Sequence, residues 1–307
     1  MPFTALPIGL VAGVAAALLF AGLVTQSPGA VVLALAAPIP IFIASLGWGS
    51  RAGFIAAATS AVAIAAFMGT FLSGLTMLLG SALPAAAIGH MAGLARPRDD
   101  GKGLDWYPLP RLLFAILAIA AVTCVILGLL LNYDAAGLET AVTEALSSQP
   151  DSPISDPQQL RAFVRFVVSA IPFLQPLITV LALVACLYVA AAVTRLSGRL
   201  PRPKDDIPAT TSLPRAALPI FAVGLAASFL SGTPGVLGAV VAGAFGTGFT
   251  LVGLAAMHRR TREKPARGLI LFSAYGAIFL LTFPLLAFLV LGLFDTARHR
   301  RPNFSQT

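Results

Sequence analysis

Charge is what this sequence withholds. Asp, Glu, Lys and Arg make up 10% of its 307 residues, against about 25% in soluble domains. They are missing altogether from Leu112–Leu131, Leu177–Thr194 and Leu269–Phe294. A hydrocarbon core needs about 20 apolar residues per helical span, so these stretches exclude a soluble globular class and read as transmembrane helices. The same absence removes the usual marks of pumps, proton relays and intramembrane enzymes, which are buried ionisable groups. No His-Glu-x-x-His pair and no glycine-rich loop ending in Lys-Ser/Thr occurs, which argues against a zinc hydrolase and a nucleotide-binding loop. We therefore expect no catalytic residue, no metal, no cofactor and no enzymatic activity. Cysteine is scarce too: Cys124 and Cys186 each lie deep in an apolar stretch, where a thiol behaves as a small hydrophobe rather than a disulfide half.

What is present fits a polytopic membrane protein. The chain is 58% hydrophobic and carries 28 Gly and 23 Pro, residues that membrane helices tolerate because neighbouring groups re-satisfy the backbone. Its net charge of +8 reads as topology charge at the cytoplasmic face, not as a nucleic-acid footprint. The N-terminus has no basic leader region, so Leu6–Val24 reads as a first span or uncleaved anchor. The pattern predicts an all-α fold, one integral membrane domain over 1–307. It has about nine apolar segments: 5–24, 29–46, 52–72, 74–95, 110–131, 170–194, 214–231, 234–257 and 268–294. Turn residues such as Ser27-Pro28-Gly29, Gly47-Trp48-Gly49-Ser50 and Gly232-Thr233-Pro234-Gly235 separate them.

Charge bias orients the bundle. Loop 95–111 holds Arg96, Arg98, Lys102 and Arg111. Loop 195–215 holds Arg195, Arg199, Arg202, Lys204 and Arg215, and loop 258–267 holds Arg259, Arg260, Arg262, Lys264 and Arg267. Loop 132–169 is acidic, with Asp134, Glu139, Glu144, Asp151 and Asp156 against Arg161 and Arg165. The basic loops are expected in the cytoplasm, the acidic loop outside, and the N-terminus inside with Arg51. The parity of the last segment then places Arg298, His299, Arg300 and Arg301 outside. Either the rule is broken once, or a late segment is re-entrant, with Phe283-Pro284 or Gly232–Gly235 as its bend. In the acidic loop, 135–148 reads as a short helix ended by Pro150, Pro153 and Pro157. Gln159–Ser169 is amphipathic, with Phe163, Phe166 and Val167 on one face; it either lies in the outer interface or extends the next span.

Candidate functional residues are sparse. Gly9, Gly13, Ala17 and Ala21 form a small-residue stripe on the first span, repeated by Ala57, Ala61, Ala65 and Gly69 and by Gly235, Ala239, Gly243 and Thr247. Such stripes permit close helix approach, within the bundle or toward helices of another membrane protein. Pro38 and Pro40 interrupt the second segment, and Pro172 and Pro176 flank Gln175; prolines in spans free carbonyls or hinge helices. His90 is the one ionisable group well inside a segment, as a proton carrier or as a hydrogen-bonded neutral ring. Asn132, Tyr133, Asp134, Gln175 and Ser231 lie at outer ends of segments, where amides and hydroxyls suit a neutral or zwitterionic ligand. Gln175, Asn132, Tyr275 and His90 are the ligand-binding candidates.

The C-terminal part resembles a known family. Gly253-Leu254-Ala255-Ala256-Met257-His258 closes one span before a short basic loop. Tyr275 and Pro284-Leu285-Leu286 follow, and Leu291-Gly292-Leu293-Phe294-Asp295 precedes a basic tail. This pattern resembles the YybS-like family of uncharacterised bacterial membrane proteins, with Pro38, Pro40, Gly253, His258 and Asp295 as the shared positions. The tail departs from that family's aromatic-rich ending. The family is distantly similar to the substrate-binding membrane components of energy-coupling-factor vitamin transporters. The resemblance implies a multi-pass protein of the bacterial inner membrane. Such a component binds a small molecule, docks on other membrane proteins through a small-residue face, and makes no contact with nucleic acid. The alternative is a non-catalytic scaffold in envelope assembly or division.

Overall fold

The computed structural model describes residues 4–25, 28–98, 103–147, 156–281 and 283–298. Among them the chain is helical apart from connecting loops and one short hairpin. Its helices are α1 (Ala5–Ala21), α2 (Pro28–Ala36), α3 (Pro38–Trp48), α4 (Ser50–Met68), α5 (Phe71–Met77), α6 (Leu83–Ala92), α7 (Leu109–Leu130) and α8 (Ala135–Ser147). They continue with α9 (Pro157–Leu196), α10 (Ile207–Thr210), α11 (Ala217–Ala227), α12 (Thr233–Arg260), α13 (Arg267–Leu280) and α14 (Pro284–Arg298). A π-helical turn, Leu78–Ala82, joins α5 to α6. Strands β1 (Ala95–Pro97) and β2 (Leu104–Trp106) pair antiparallel.

Among the described residues six helical stretches are long and apolar enough to cross a membrane, and Ala5–Ala21, Ala217–Ala227 and Arg267–Leu280 are shorter apolar helices. The expectation of nine equivalent segments is thereby refined, because the last of them is two helices. Packing is inverted relative to a soluble protein. On α1 the buried residues are Ala5, Gly9, Gly13, Ala16 and Ala17, while Leu6, Val11 and Leu18 are 57%, 70% and 70% exposed. Small residues face helices and large ones face outward, as in a lipid-bathed bundle, where backbone approach rather than hydrophobic burial drives association.

The first-span stripe follows this pattern. A methyl on Gly9 would meet the Ile55 side chain at 2.6 Å, and one on Gly13 the Ala56 carbonyl at 2.6 Å. Gly9 and Gly13 meet α4, the within-bundle alternative for this stripe, and Ala17 is buried with them; Ala21 is half-buried at its end. The stripe on α4 is likewise internal, with Gly74 of α5 against Ala61 and Ala65.

Three basic loops lock together at one end. The Arg202 guanidinium, 8% exposed, donates to the carbonyls of Ala92 (3.2 Å) and Tyr107 (3.0 Å) and to Asp205 (2.8 Å). Arg262 pairs with Asp206, and Arg259 donates to the Pro208 carbonyl at 3.1 Å. Arg199 lies 4.6 Å over the Trp48 ring.

The end of α14 joins the same cluster. Asp295 accepts two bonds from Arg259 at 2.8 and 3.0 Å, and Arg215 donates to the Ala297 carbonyl at 3.2 Å. Helix α14 runs in the direction of α12, with Gly253 against Phe288 and Gly292 against Phe249. Helices α13 and α14, of 14 and 15 residues, are each about 22 Å long, short of a full span. They form a hairpin broken near Phe283-Pro284 that enters and leaves from the basic end, which removes the parity conflict. Arg298 sits at that end, while His299, Arg300 and Arg301 lie outside the described residues.

At the opposite end, α9 overshoots. Its 40 residues span about 60 Å, roughly twice the hydrocarbon core. Asp156 caps it through the Gln158 amide at 2.9 Å. Leu160, Val164 and Val168 pack on Leu138, Val142 and Leu146 of α8, and Asp134 caps α8 through the amides of Ala136 and Gly137. The amphipathic stretch thus extends the span as one arm of a helical hairpin, and Phe163 and Phe166 stand 50% and 71% exposed on it. Pro150 and Pro153 lie outside the described residues.

Candidate functional site

Three proline-bearing helices supply the irregular backbone of the bundle. Pro38 cannot donate to a preceding carbonyl, and α2 stops at Ala36, with the Ala37 amide turning back to the Ala34 carbonyl at 3.1 Å. Facing that break, the Cys186 thiol of α9 donates to the Leu35 carbonyl at 3.2 Å.

Pro84 acts on the second helix. The Leu83 amide bonds the Leu78 carbonyl, one residue further back than in an α-helix. In that register the partner of the Leu79 carbonyl would be Pro84, which has no N–H. The Thr123 hydroxyl of α7 reaches that carbonyl instead, at 3.4 Å. Pro172 leaves the Val168 carbonyl without its helical donor, and the Tyr133 hydroxyl takes the place at 3.3 Å. The Leu35, Leu79 and Val168 carbonyls beside these breaks are thus met from a neighbouring element, as a low-dielectric setting demands.

Between the first two interruptions lies a chamber of about 250 Å³. Phe20, Leu23, Val31, Leu127 and Leu183 make its walls mostly apolar, and Thr76, Ser81 and Thr179 supply hydroxyls. Thr76 and Thr179 each donate to a carbonyl of their own helix, Leu72 at 2.8 Å and Gln175 at 2.9 Å; the Thr179 oxygen also meets the Cys124 thiol at 3.8 Å, and Thr76 keeps its lone pairs as acceptors. Ser81 differs. Among the described residues three buried hydroxyls lack a protein partner, those of Ser45, Ser81 and Thr296, and of these only Ser81 borders either cavity. A buried hydroxyl without a partner costs about 1–3 kcal/mol. An apolar chamber with a few convergent polar groups is the ordinary form of a small-molecule site, and π-turns are frequent at such sites.

The residues singled out from sequence fall elsewhere. Gln175 is exposed on the flank of α9, and Asn132 is exposed at the end of α7 in a left-handed conformation, φ 49°. Neither lines either of the two cavities described for the bundle. Pro172 and Pro176, by contrast, are buried; Gly243 of α12 packs on Pro176 and on the Phe173 carbonyl. His90 bonds Ser50 at 2.6 Å, tying the end of α6 to the start of α4. Tyr275 bonds His258 at 2.8 Å, tying α13 to α12. Gly253, His258 and Asp295 all fasten the α13–α14 hairpin, and Pro38 and Pro40 open α3.

Sequence reading missed Ser81. Its signal was a Gly-Ser pair followed by Pro84 in the middle of an apolar segment, a polar interruption next to a missing donor. Among the described residues no group of three or more His, Cys, Asp or Glu is placed to hold a metal ion.

The fold defines a multi-pass helical membrane protein embedded in a lipid bilayer. Within that class the chain belongs to the family described as predicted membrane protein (DUF2232), whose family model matches residues 14–296. No curated protein and no solved structure matches it.

Proposed function

We propose that this protein is the ligand-binding, permease-like membrane component of a small-molecule transport system, without catalysis of its own, in the bacterial inner membrane. The basic end faces the cytoplasm and the α8–α9 hairpin the outside. The observation that carries the reading is the mostly apolar cavity where two interrupted helices meet, with the Ser81 hydroxyl buried without a protein partner behind its wall. Transporters of several folds place their sites at such discontinuous helices. The resemblance of 253–301 to the YybS-like family, and of that family to energy-coupling-factor components, supports the same reading by analogy. Energy would come from a separate ATPase, since this chain has no phosphate loop.

The test is a thermal-shift screen of neutral small molecules against purified protein and Ser81→Ala. Compounds that stabilise the native protein and lose that effect in Ser81→Ala are expected. If no compound separates the two proteins, the reading fails. A second reading, a membrane scaffold, is favoured by one observation: Phe163 and Phe166 project from the α8–α9 hairpin. It predicts that Phe163→Ser with Phe166→Ser releases a co-purifying protein while leaving the screen unchanged.

A further inference from the structure

The polar side chains around the chamber have already spent their hydrogens. Thr76, Ser81 and Thr179 are the only residues lining it whose side chains hold a polar atom, and the Ser81 oxygen is closed off behind the wall. Thr76 and Thr179 are half-buried. Their hydroxyl hydrogens lie on the carbonyls of Leu72 and Gln175. The Cys124 thiol, 3.8 Å from the Thr179 oxygen, is therefore the donor of that contact, and one lone pair remains on Thr179 beside those of Thr76. Pro38, also in the wall, has no N–H to offer. The side chains of the chamber thus accept hydrogen bonds and donate none.

Resting on the assignment of the chamber as the binding site, we propose that its ligand is a small, neutral, mostly apolar molecule that donates a hydrogen bond, through an N–H or O–H, to Thr76 or Thr179. Neutrality follows from the walls, since no Asp, Glu, Lys, Arg or His lines the chamber and an unpaired charge at that depth is costly. Size follows from the volume. An apolar cavity of about 150 Å³ holds one benzene ring, so a chamber of about 250 Å³ takes a molecule of about ten non-hydrogen atoms. Polarity follows from the two threonines: an acceptor on the ligand would have to take a hydrogen away from the helix backbone, whereas a donor meets a lone pair that is already there. The chamber lies toward the end opposite the basic loops. Leu23 is in the turn that closes α1, Leu127 is one turn from the end of α7, and Thr179 is one turn below Gln175. That position suits capture from the outer side.

The experiment uses the full chain in nanodiscs and equilibrium dialysis, with empty nanodiscs as the blank. The probes are indole, which donates through its N–H, benzofuran, which has the same shape and no donor, and indole carboxylate, which is charged. Saturable binding of indole above the blank is expected, with benzofuran about fivefold weaker, the share of one net hydrogen bond. Thr76→Val with Thr179→Val removes that difference by bringing indole down to the level of benzofuran, and Thr76→Ser with Thr179→Ser keeps it. Val31 lines the chamber and is 51% exposed, so Val31→Trp fills the space from its rim and weakens both neutral probes by about tenfold or more. Should Val31→Trp unfold, Ala34→Leu, from the same wall, fills it instead.

Benzofuran bound as tightly as indole, with both lost in Val31→Trp, overturns the donor requirement and leaves the chamber standing as a binding site. Tighter binding of indole carboxylate than of indole overturns the neutral ligand in the same way. Indole binding that the filling variants leave unchanged belongs to the surrounding lipid, and it overturns the inference. Absence of saturable binding by every probe overturns it as well. A compound found in the thermal-shift screen then preserves the proposed function, and a blank screen removes both.

Discussion

Gly253 and Gly292 meet across the α12–α14 contact with almost no room to spare. A methyl on Gly253 would overlap the Phe288 carbonyl oxygen, and one on Gly292 the Phe249 carbonyl oxygen. Backbone cannot yield as a side-chain tip can, so Gly253→Ala is expected to cost about 1–3 kcal/mol. Gly276→Ala, with open space around it, is expected to cost nothing; thermal unfolding in detergent compares the two. At the basic end, the Arg262 guanidinium bonded to Asp206 holds that carboxyl below the usual carboxylate range. A depressed folded value means that the pair stabilises above the ordinary carboxylate pKa of about 3.9 and loses that effect as pH falls through the lowered value. NMR titration of Asp206 should show a midpoint below the ordinary range that rises back toward it in Arg262→Gln. An unshifted midpoint in the native protein would contradict the pairing.

At the level of elements, proline decides where helices stop being regular, and neighbours decide whether that is tolerated. Thr123→Val removes the donor that serves the Leu79 carbonyl and is expected to destabilise by about 1 kcal/mol. In a Pro84→Ala background the new amide can serve that carbonyl itself, so the same substitution should cost close to nothing. Additive losses in this double-mutant cycle would sink the explanation. The sequence made much of this legible. Uncharged stretches marked the helices, the Pro38–Pro40 pair marked the α2–α3 break, and Phe283-Pro284 marked the bend of the last hairpin. Gly9 and Gly13 marked a close-packed face but not its partner, because four-residue spacing describes one helix and says nothing of what lies opposite. The site was legible least. Gln175 and Asn132 drew attention as polar residues near span ends, where water and headgroups can satisfy an amide. Ser81 became notable only once its surroundings were known, since most serines in membrane helices bond their own backbone.

For the whole molecule, the basic loops and the end of α14 share one face, and the α8–α9 hairpin occupies the other. A reporter active only outside the cytoplasm, inserted at 140–145, should be active; one inserted at 200–208 and one fused after residue 298 should both be silent. Activity of the fusion after 298 would mean that α13 and α14 do not fold back together. The late docking of α14 also bears on synthesis. Helix α12 leaves the ribosome before its partners on α14: Leu289, Phe288 and Asp295, which meet Gly246, Gly253 and Arg259, are made later. A chain released before α14 therefore carries Arg259 without its carboxylate partner and an open backbone seam along α12 at the basic end. The seam closes only when Gly253 and Gly292 come together, so the order of synthesis makes the α12–α14 contact a late step of assembly.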